Sequence, residues 1–143
     1  MRMGISISIP ELFARVMDQS MFDYRDIAPG NGRPLSNAEE DIFRANLQSL
    51  CAKVVLSSAG AISGFETDMA TDKIYVNVNG GKCGHEEPIA IRFSDVLMYG
   101  MLTWWNSTQN SALSQIYREK FDSQWSSFKT GLVGITTRGF SYY

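Results

Sequence analysis

Residues 94–106, SDVLMYGMLTWWN, predict a helix that is apolar almost all the way round its axis. Ser94 suits the position that caps the start of a helix, and Asp95 suits the positive end of the helix dipole. A solvated helix would carry a polar face, so this one is expected at the centre of a domain or partly in a subunit interface. The other elements should pack around it.

A second helix is predicted to begin after Ser36, because residues 36–39, SNAE, have the form of a capping box. In this motif the Ser36 hydroxyl and the Glu39 carboxylate satisfy each other's free backbone N–H groups. The apolar residues that follow recur at intervals of three and four, which indicates one buried face: Phe43, Leu47, Leu50, Cys51, Val54 and Val55. Gly60 and Gly64 are expected to end this helix.

A further helix is predicted from an apolar stripe at steps of three and four: Leu113, Tyr117, Phe121, Trp125, Phe128 and Leu132. We expect it to run to about Thr130, with Gly131 as its C-cap. Residues 133–143 would then form an extended C-terminal tail. Four residues on the predicted helical stripes are assigned to the core: Leu47, Cys51, Phe121 and Trp125.

The first part of the chain predicts an extended arm, a helix and a loop. Residues 1–10 alternate isoleucine with serine, as an extended arm or edge strand does, and Pro10 suits the first position of a helix. Residues 22–35 contain two prolines and two glycines among polar residues. They predict a loop that is mobile or reaches a partner.

Two segments with alternating apolar residues predict a β-hairpin within residues 72–93. The apolar positions are Ile74, Val76 and Val78 in residues 73–79, and Ile89, Ile91 and Phe93 in residues 88–93. The polar connection is too long for a two-residue turn, so the tip of the hairpin is expected to project.

Together these elements predict an α+β fold that is mainly helical. It would be a bundle of about four helices with an inserted β-hairpin and extended termini. The chain has 143 residues, which suits a single domain over residues 1–143. Its composition, 44% hydrophobic and 20% charged, is that of a globular protein and not of a disordered one.

Charge and hydropathy limit the classes of partner. The formal net charge of −2 provides no overall basic field, so nucleic acid is not the leading partner. No apolar stretch approaches the ~20 residues of a membrane helix, so we expect no membrane partner. Residues 1–10 lack the apolar region of a secretory signal, which predicts synthesis in the cytosol.

The candidate chemical groups do not form a recognisable catalytic set. His85 is the only histidine, and no second histidine or cysteine pair completes a zinc site with Cys83. Side chains two residues apart in an extended segment point the same way without meeting, which disfavours a nucleophile and base pair. No glycine-rich phosphate-binding motif occurs. We therefore predict no catalytic residue, no cofactor, no metal and no enzyme. The alternative left open is a small α+β ligand-binding protein or enzyme that uses Cys83 and His85 at the hairpin tip.

Five aromatic residues are predicted to contact other subunits. Trp104 and Trp105 are adjacent, so they project about 100° apart on a helix, and if one is core the other faces a contact. Phe140, Tyr142 and Tyr143 would expose large apolar area on an extended tail, and aromatic residues are favoured at interfaces.

From residue 35 onward the order of elements resembles the small head-to-tail connector, or adaptor, proteins of tailed bacteriophages. In that family a helix opens with an acidic signature similar to residues 36–41, SNAEED, and an apolar helix similar to residues 93–106 follows an insertion. A further helix similar to residues 111–130 leads to an extended tail. The resemblance covers about two thirds of the chain and rests on layout; the N-terminal helix, the long loop and the developed hairpin depart from it.

The resemblance implies a structural virion protein, made in the host cytoplasm and placed at the head-tail junction. It implies a ring of identical subunits, twelvefold in this family, bound to the portal and to neighbouring tail or connector proteins. DNA would pass through the channel of this ring without specific binding, and the C-terminal tail would reach into the neighbouring ring. A tail-completion protein or another virion structural protein is the alternative of the same class.

Overall fold

The structure, a computed structural model, describes residues 2–27, 30, 32–58, 60–68, 70–79 and 86–137. Its helices are α1 (Ile9–Phe22), α2 (Glu40–Ser57), α3 (Glu86–Asn106) and α4 (Ser111–Thr137). Its strands are β1 (Arg2–Ser8), β2 (Ile62–Asp68) and β3 (Lys73–Asn79). The described residues therefore form the mainly helical α+β fold, with a helical bundle and a β-hairpin, that the sequence predicts.

Helix α3 is the central element, because it packs against α1, α2, α4 and β1. Five of its apolar side chains are almost fully buried: Phe93, Val96, Leu97, Met101 and Leu102. The prediction that this apolar helix lies inside the domain is confirmed. The capping box before α2 is also present, with Ser36 and Glu39 paired around the 3-10 turn Asn37–Glu39.

The three strands form an antiparallel sheet in the order β1, β3, β2. Ile5 pairs with Val76 and Ile7 with Ile74, and all four side chains are buried on one face of the sheet. At the end of β1 the Ser8 hydroxyl accepts a hydrogen bond from the Glu11 N–H and caps α1, in which Pro10 occupies the first turn. The predicted edge strand followed by a helix at Pro10 is confirmed.

The predicted second strand of the hairpin, residues 88–93, is wrong. These residues are the first turns of α3, and the hairpin partner of β3 is β2, which precedes it in the chain. Ile89 and Phe93 are buried while Ile91 is 57% exposed, which fits a helix and not an alternating strand. Pro88 is tolerated because it lies in the first turn, where a missing N–H breaks no helical hydrogen bond.

The loop predicted over residues 22–35 is more ordered than expected. The π-helical turn Asp23–Ile27 continues α1, and Tyr24 and Leu35 are buried. The Leu35 N–H donates to the Ser20 hydroxyl at 2.9 Å, and the Arg33 N–H donates to Gln109 Oε1 at 2.9 Å. The described part of this segment is therefore anchored to α1 and to the turn between α3 and α4, and residues 28, 29 and 31 lie outside the described residues.

Helix α4 does not end near Thr130. It continues to Thr137 with Gly131 inside it, so Gly131 is not a C-cap and residues 133–137 are helical and not extended. One glycine in a helix interior costs only about 1 kcal/mol relative to alanine, which neighbouring helical turns can absorb. Residues 138–143, the rest of the predicted tail, lie outside the described residues.

Three of the four residues assigned to the core are buried: Leu47, Cys51 and Trp125. Phe121 is only partly buried and packs against the edge of the core. We expect Leu47→Ala to lower the free energy of unfolding by about 2–5 kcal/mol, because it leaves a cavity, and Phe121→Ala to lower it by less. Urea unfolding measures both losses, and a larger loss for Phe121→Ala would contradict this placement.

The turn between β2 and β3 is held by Asp72, which has a left-handed backbone with φ of 57°. Its carboxylate oxygens accept hydrogen bonds from the Arg44 guanidinium at 2.5 and 2.8 Å, and its carbonyl oxygen accepts the Ile9 N–H at 3.0 Å. The hydrogen bonds from Arg44 lower the pKa of the Asp72 carboxyl from its ordinary value. This one residue therefore joins the hairpin to α2 and to the start of α1.

The lowered pKa of Asp72 predicts a pH dependence of stability. The ion pair stabilises the fold fully above the unfolded-state pKa of about 3.9, and this stabilisation is lost as the pH falls through the lower folded-state pKa. We expect Asp72→Asn to melt at a lower temperature than the parent at pH 7, with a smaller difference at about pH 2. Asparagine tolerates the left-handed backbone, so the comparison isolates the charge. A constant difference across this pH range would contradict the role of the ion pair.

Candidate functional site

The two adjacent tryptophans of α3 have different surroundings. The Trp105 side chain is buried, and its indole N–H donates a hydrogen bond to the Arg33 carbonyl oxygen at 3.0 Å. The Arg33 guanidinium lies 5.1 Å from the centre of the same ring. Trp105 therefore holds the segment before α2 against α3, and it is the buried member of the pair.

Trp104 projects from the next position of α3 and is only partly buried. Its ring meets the Phe43 ring edge to face, with 6.4 Å between the ring centres and 66° between the planes. This contact fixes the orientation of the indole, because Phe43 is completely buried. The rest of the Trp104 side chain borders a groove that is open to solvent.

The groove beside Trp104, called here the Trp104 groove, has a volume of about 420 Å³ and lies between α2, α3 and α4. Its floor is apolar and consists of Leu50, Met101, Trp104 and Phe121. Its rim carries polar and charged side chains from the same helices: Asn46, Ser49, Lys53, Arg118 and Asp122. An apolar floor with a polar rim is the arrangement found at protein interfaces.

Gly100 allows side chains of α2 and α4 to approach α3 at the bottom of this groove. A Cβ atom at residue 100 would lie 2.6 Å from Leu50 Cδ2 and 3.1 Å from Phe121 Cε1. Both side chains therefore lean over the backbone of α3 in space that any other residue would occupy. The floor of the groove depends on this close approach.

The charged groups of the rim are free to meet a partner. Within the described part of the chain, Lys53, Arg118 and Asp122 form no ion pair with one another or with other residues. Lys53 and Asp122 lie on different helices, and all three side chains are exposed. A docked group would thus find two cations and one carboxylate around an apolar floor.

A buried polar cluster lies elsewhere, where the π-helical turn meets α3 and α4. The Asp23 carboxylate is inaccessible to solvent and accepts hydrogen bonds from the Tyr117 hydroxyl at 2.6 Å and from Gln19 Nε2 at 3.1 Å. The Tyr24 hydroxyl donates to Asn106 Oδ1. Burial, and then the nearby Asp23 carboxylate, raise the pKa of Tyr117, which therefore remains a hydrogen-bond donor.

We expect Tyr117→Phe to destabilise the protein by about 1–3 kcal/mol, because among the described residues it leaves Gln19 as the one side-chain donor to a buried carboxylate. Urea unfolding measures the loss. Tyr99→Phe is the matched control, since Tyr99 stacks on Tyr117 without a hydrogen bond to Asp23. Equal effects of the two substitutions would show that ring packing, and not the hydrogen bond, is responsible.

The remaining candidate groups are placed as follows. Burial raises the pKa of the Cys51 thiol to about 12, so this residue is a core thiol and not a nucleophile at neutral pH. Among the described residues no group of three or more histidine, cysteine or acidic side chains is arranged to hold a metal. None of the described helices is long and apolar enough to cross a membrane. Residues 80–85 and 138–143 lie outside the described part, and with them Cys83, His85, Phe140, Tyr142 and Tyr143.

Sequence reasoning pointed to Trp104 but missed the groove around it and the Asp23 cluster. The groove draws residues from three helices that are far apart in the chain, so no local pattern shows it. Asp23 followed a predicted helix end and resembled an ordinary loop residue. Its neighbour Tyr24 was the one available signal, because a tyrosine buried in a turn requires a hydrogen-bond partner.

Comparisons with known proteins give no relative for this chain. No protein-family model matches it, and neither the curated proteins nor the solved structures contain a significant match.

Proposed function

We propose that this chain is a structural subunit that binds other protein subunits through the Trp104 groove. The observation that carries the proposal is the partly buried Trp104, held by Phe43 on one side and open to solvent on the other. Tryptophan and arginine are enriched among the residues that dominate binding energy at interfaces, and here Arg118 stands on the rim. The surrounding charges are unpaired within the described chain and suit the rim of an interface.

The assembly that we propose is the head-to-tail connector of a tailed bacteriophage. The order α2, hairpin, α3 and α4 supports this reading, because it is the layout on which the resemblance to the connector family rests. The subunits would form a ring between portal and tail, which is twelvefold in that family, in the virion. DNA would pass through the channel without specific binding, and portal and neighbouring tail or connector proteins would be the partners.

A bulky side chain in the groove tests this function. We expect Ser49→Trp to abolish the proposed self-association and to leave monomers, because Ser49 is an exposed rim residue and its replacement fills the groove without entering the core. Light scattering gives the mass in solution, and negative-stain images show whether the parent forms closed rings. Thermal melting checks that the fold is intact.

Ala52→Trp is the matched control, because Ala52 is exposed on the same helix and does not line the groove. It should leave the mass of the parent unchanged. If Ser49→Trp associates as well as the parent does, the groove is not a subunit contact and the proposed function fails.

A further inference from the structure

We propose that residues 138–143 of a second copy of this chain, RGFSYY, occupy the Trp104 groove. The inference rests on the proposed function and names the partner at its docking site. Each copy would then present two complementary surfaces, an aromatic segment beyond α4 and a groove near the middle of α4. The argument has three steps: the reach of the segment, the chemistry of the groove and the symmetry of the contact.

The length of α4 keeps this segment away from the groove of its own chain. Asp122 is the last residue of α4 that lines the groove and Thr137 ends the helix, so the helix continues for 15 residues past the groove. At about 1.5 Å per residue the end of α4 is about 22 Å away along its axis. Phe140 lies three residues beyond Thr137, and a fully extended chain of three residues covers at most about 10 Å of the way back to the groove.

Even the whole segment of six residues spans at most about 20 Å, and part of that length is needed to reverse direction at the end of the helix. Phe140 therefore cannot reach the groove of the chain that carries it, and Tyr142 and Tyr143 could approach it only with the segment almost fully extended. All three aromatic side chains can enter the groove of a second copy, whose position is not tied to the end of this helix.

The chemistry of the groove matches the aromatic residues of this segment. Leu50, Trp104 and Phe121 offer apolar surface and two ring faces or edges, against which other aromatic rings pack in offset or edge-to-face geometry. The volume of about 420 Å³ lies in the range of pockets that hold small ligands, which is room for one or two aromatic side chains.

The unpaired charges of the rim also suit tyrosine. Lys53 and Arg118 can lie over the face of a docked ring, where the ring quadrupole attracts a cation. The carboxylate of Asp122 can accept a hydrogen bond from a tyrosine hydroxyl. Phe140, Tyr142 and Tyr143 carry both the apolar area and the hydroxyl groups that this combination accepts.

The contact is heterologous, because the donated segment and the receiving groove are different surfaces of one chain. Contacts of this kind produce a closed ring when the rotation between successive copies closes, and an open filament when it does not. A segment-in-groove contact thus provides the ring that the proposed function requires.

The test uses full-length variants of both halves of the contact. The triple variant Phe140→Ala, Tyr142→Ala and Tyr143→Ala keeps the groove and removes the rings, and Ser141→Ala is the control within the same segment. We expect the triple variant to raise the dissociation constant for self-association by about tenfold or more, and Ser141→Ala to leave it unchanged. Native mass spectrometry over a concentration series measures the association.

Mixing the triple variant with Ser49→Trp provides the decisive result. The first offers only a groove and the second only an aromatic segment, so the equimolar mixture should form heterodimers and no larger species. If the triple variant assembles as the parent does while Ser49→Trp remains monomeric, the groove binds subunits but not through this segment, and only the present inference fails. A mixture without heterodimers overturns it as well. A lower melting temperature of the triple variant at a concentration where the parent is also monomeric would show that the segment packs on its own domain, which also overturns it.

Discussion

The fold depends on covering α3, which from Phe93 onward is apolar almost all the way round its axis. Phe93, Val96, Leu97, Met101 and Leu102 are buried around it, and each neighbouring element lies against a part of its surface. These elements are β1, α1, α2 and α4. Beside α2 and α4, Trp104 remains partly uncovered. The candidate site is therefore a place where the covering of the central helix is incomplete.

The sequence correctly predicted those elements for which the capping residues and the spacing of apolar residues indicate the same structure. The capping box at Ser36 and the stripe that follows it are both present in the structure, as are β1 and the helix at Pro10. The strand prediction for residues 88–93 failed because Ile89, Ile91 and Phe93 fit an alternating pattern, while Ile89 and Phe93 also fit a helical one. The packing of α3 against its neighbours decides between the two patterns. Strand β2 was not predicted, because a bulge between Ile62 and Gly64 interrupts the alternation of its apolar and polar residues.

The candidate site was predictable only as far as a pair of adjacent tryptophans allows. Helical geometry requires that the two project in different directions, but it does not say which one is buried. The choice is made by the Arg33 carbonyl oxygen, which accepts the hydrogen bond of the Trp105 indole from a segment about seventy residues earlier in the chain. Non-local hydrogen bonds of this kind leave no pattern in the sequence. For the same reason the sequence did not predict that Asp23 is buried and hydrogen-bonded, because its donor Tyr117 lies on α4.

The continuation of α4 through Gly131 increases the distance between the C-terminal end of this helix and the Trp104 groove. A helix that stopped near Thr130 would have left residues 131–143 to follow outside the helix, a stretch long enough when extended to return to the Trp104 groove of the same chain. The seven additional helical residues carry the chain about 10 Å further away and leave fewer residues to return with. Both effects act in the same direction, because a residue in a helix spans less than half the distance that it spans in an extended chain. An α4 that continues to Thr137 therefore holds its own C-terminal end away from the Trp104 groove, which lies open between the described helices.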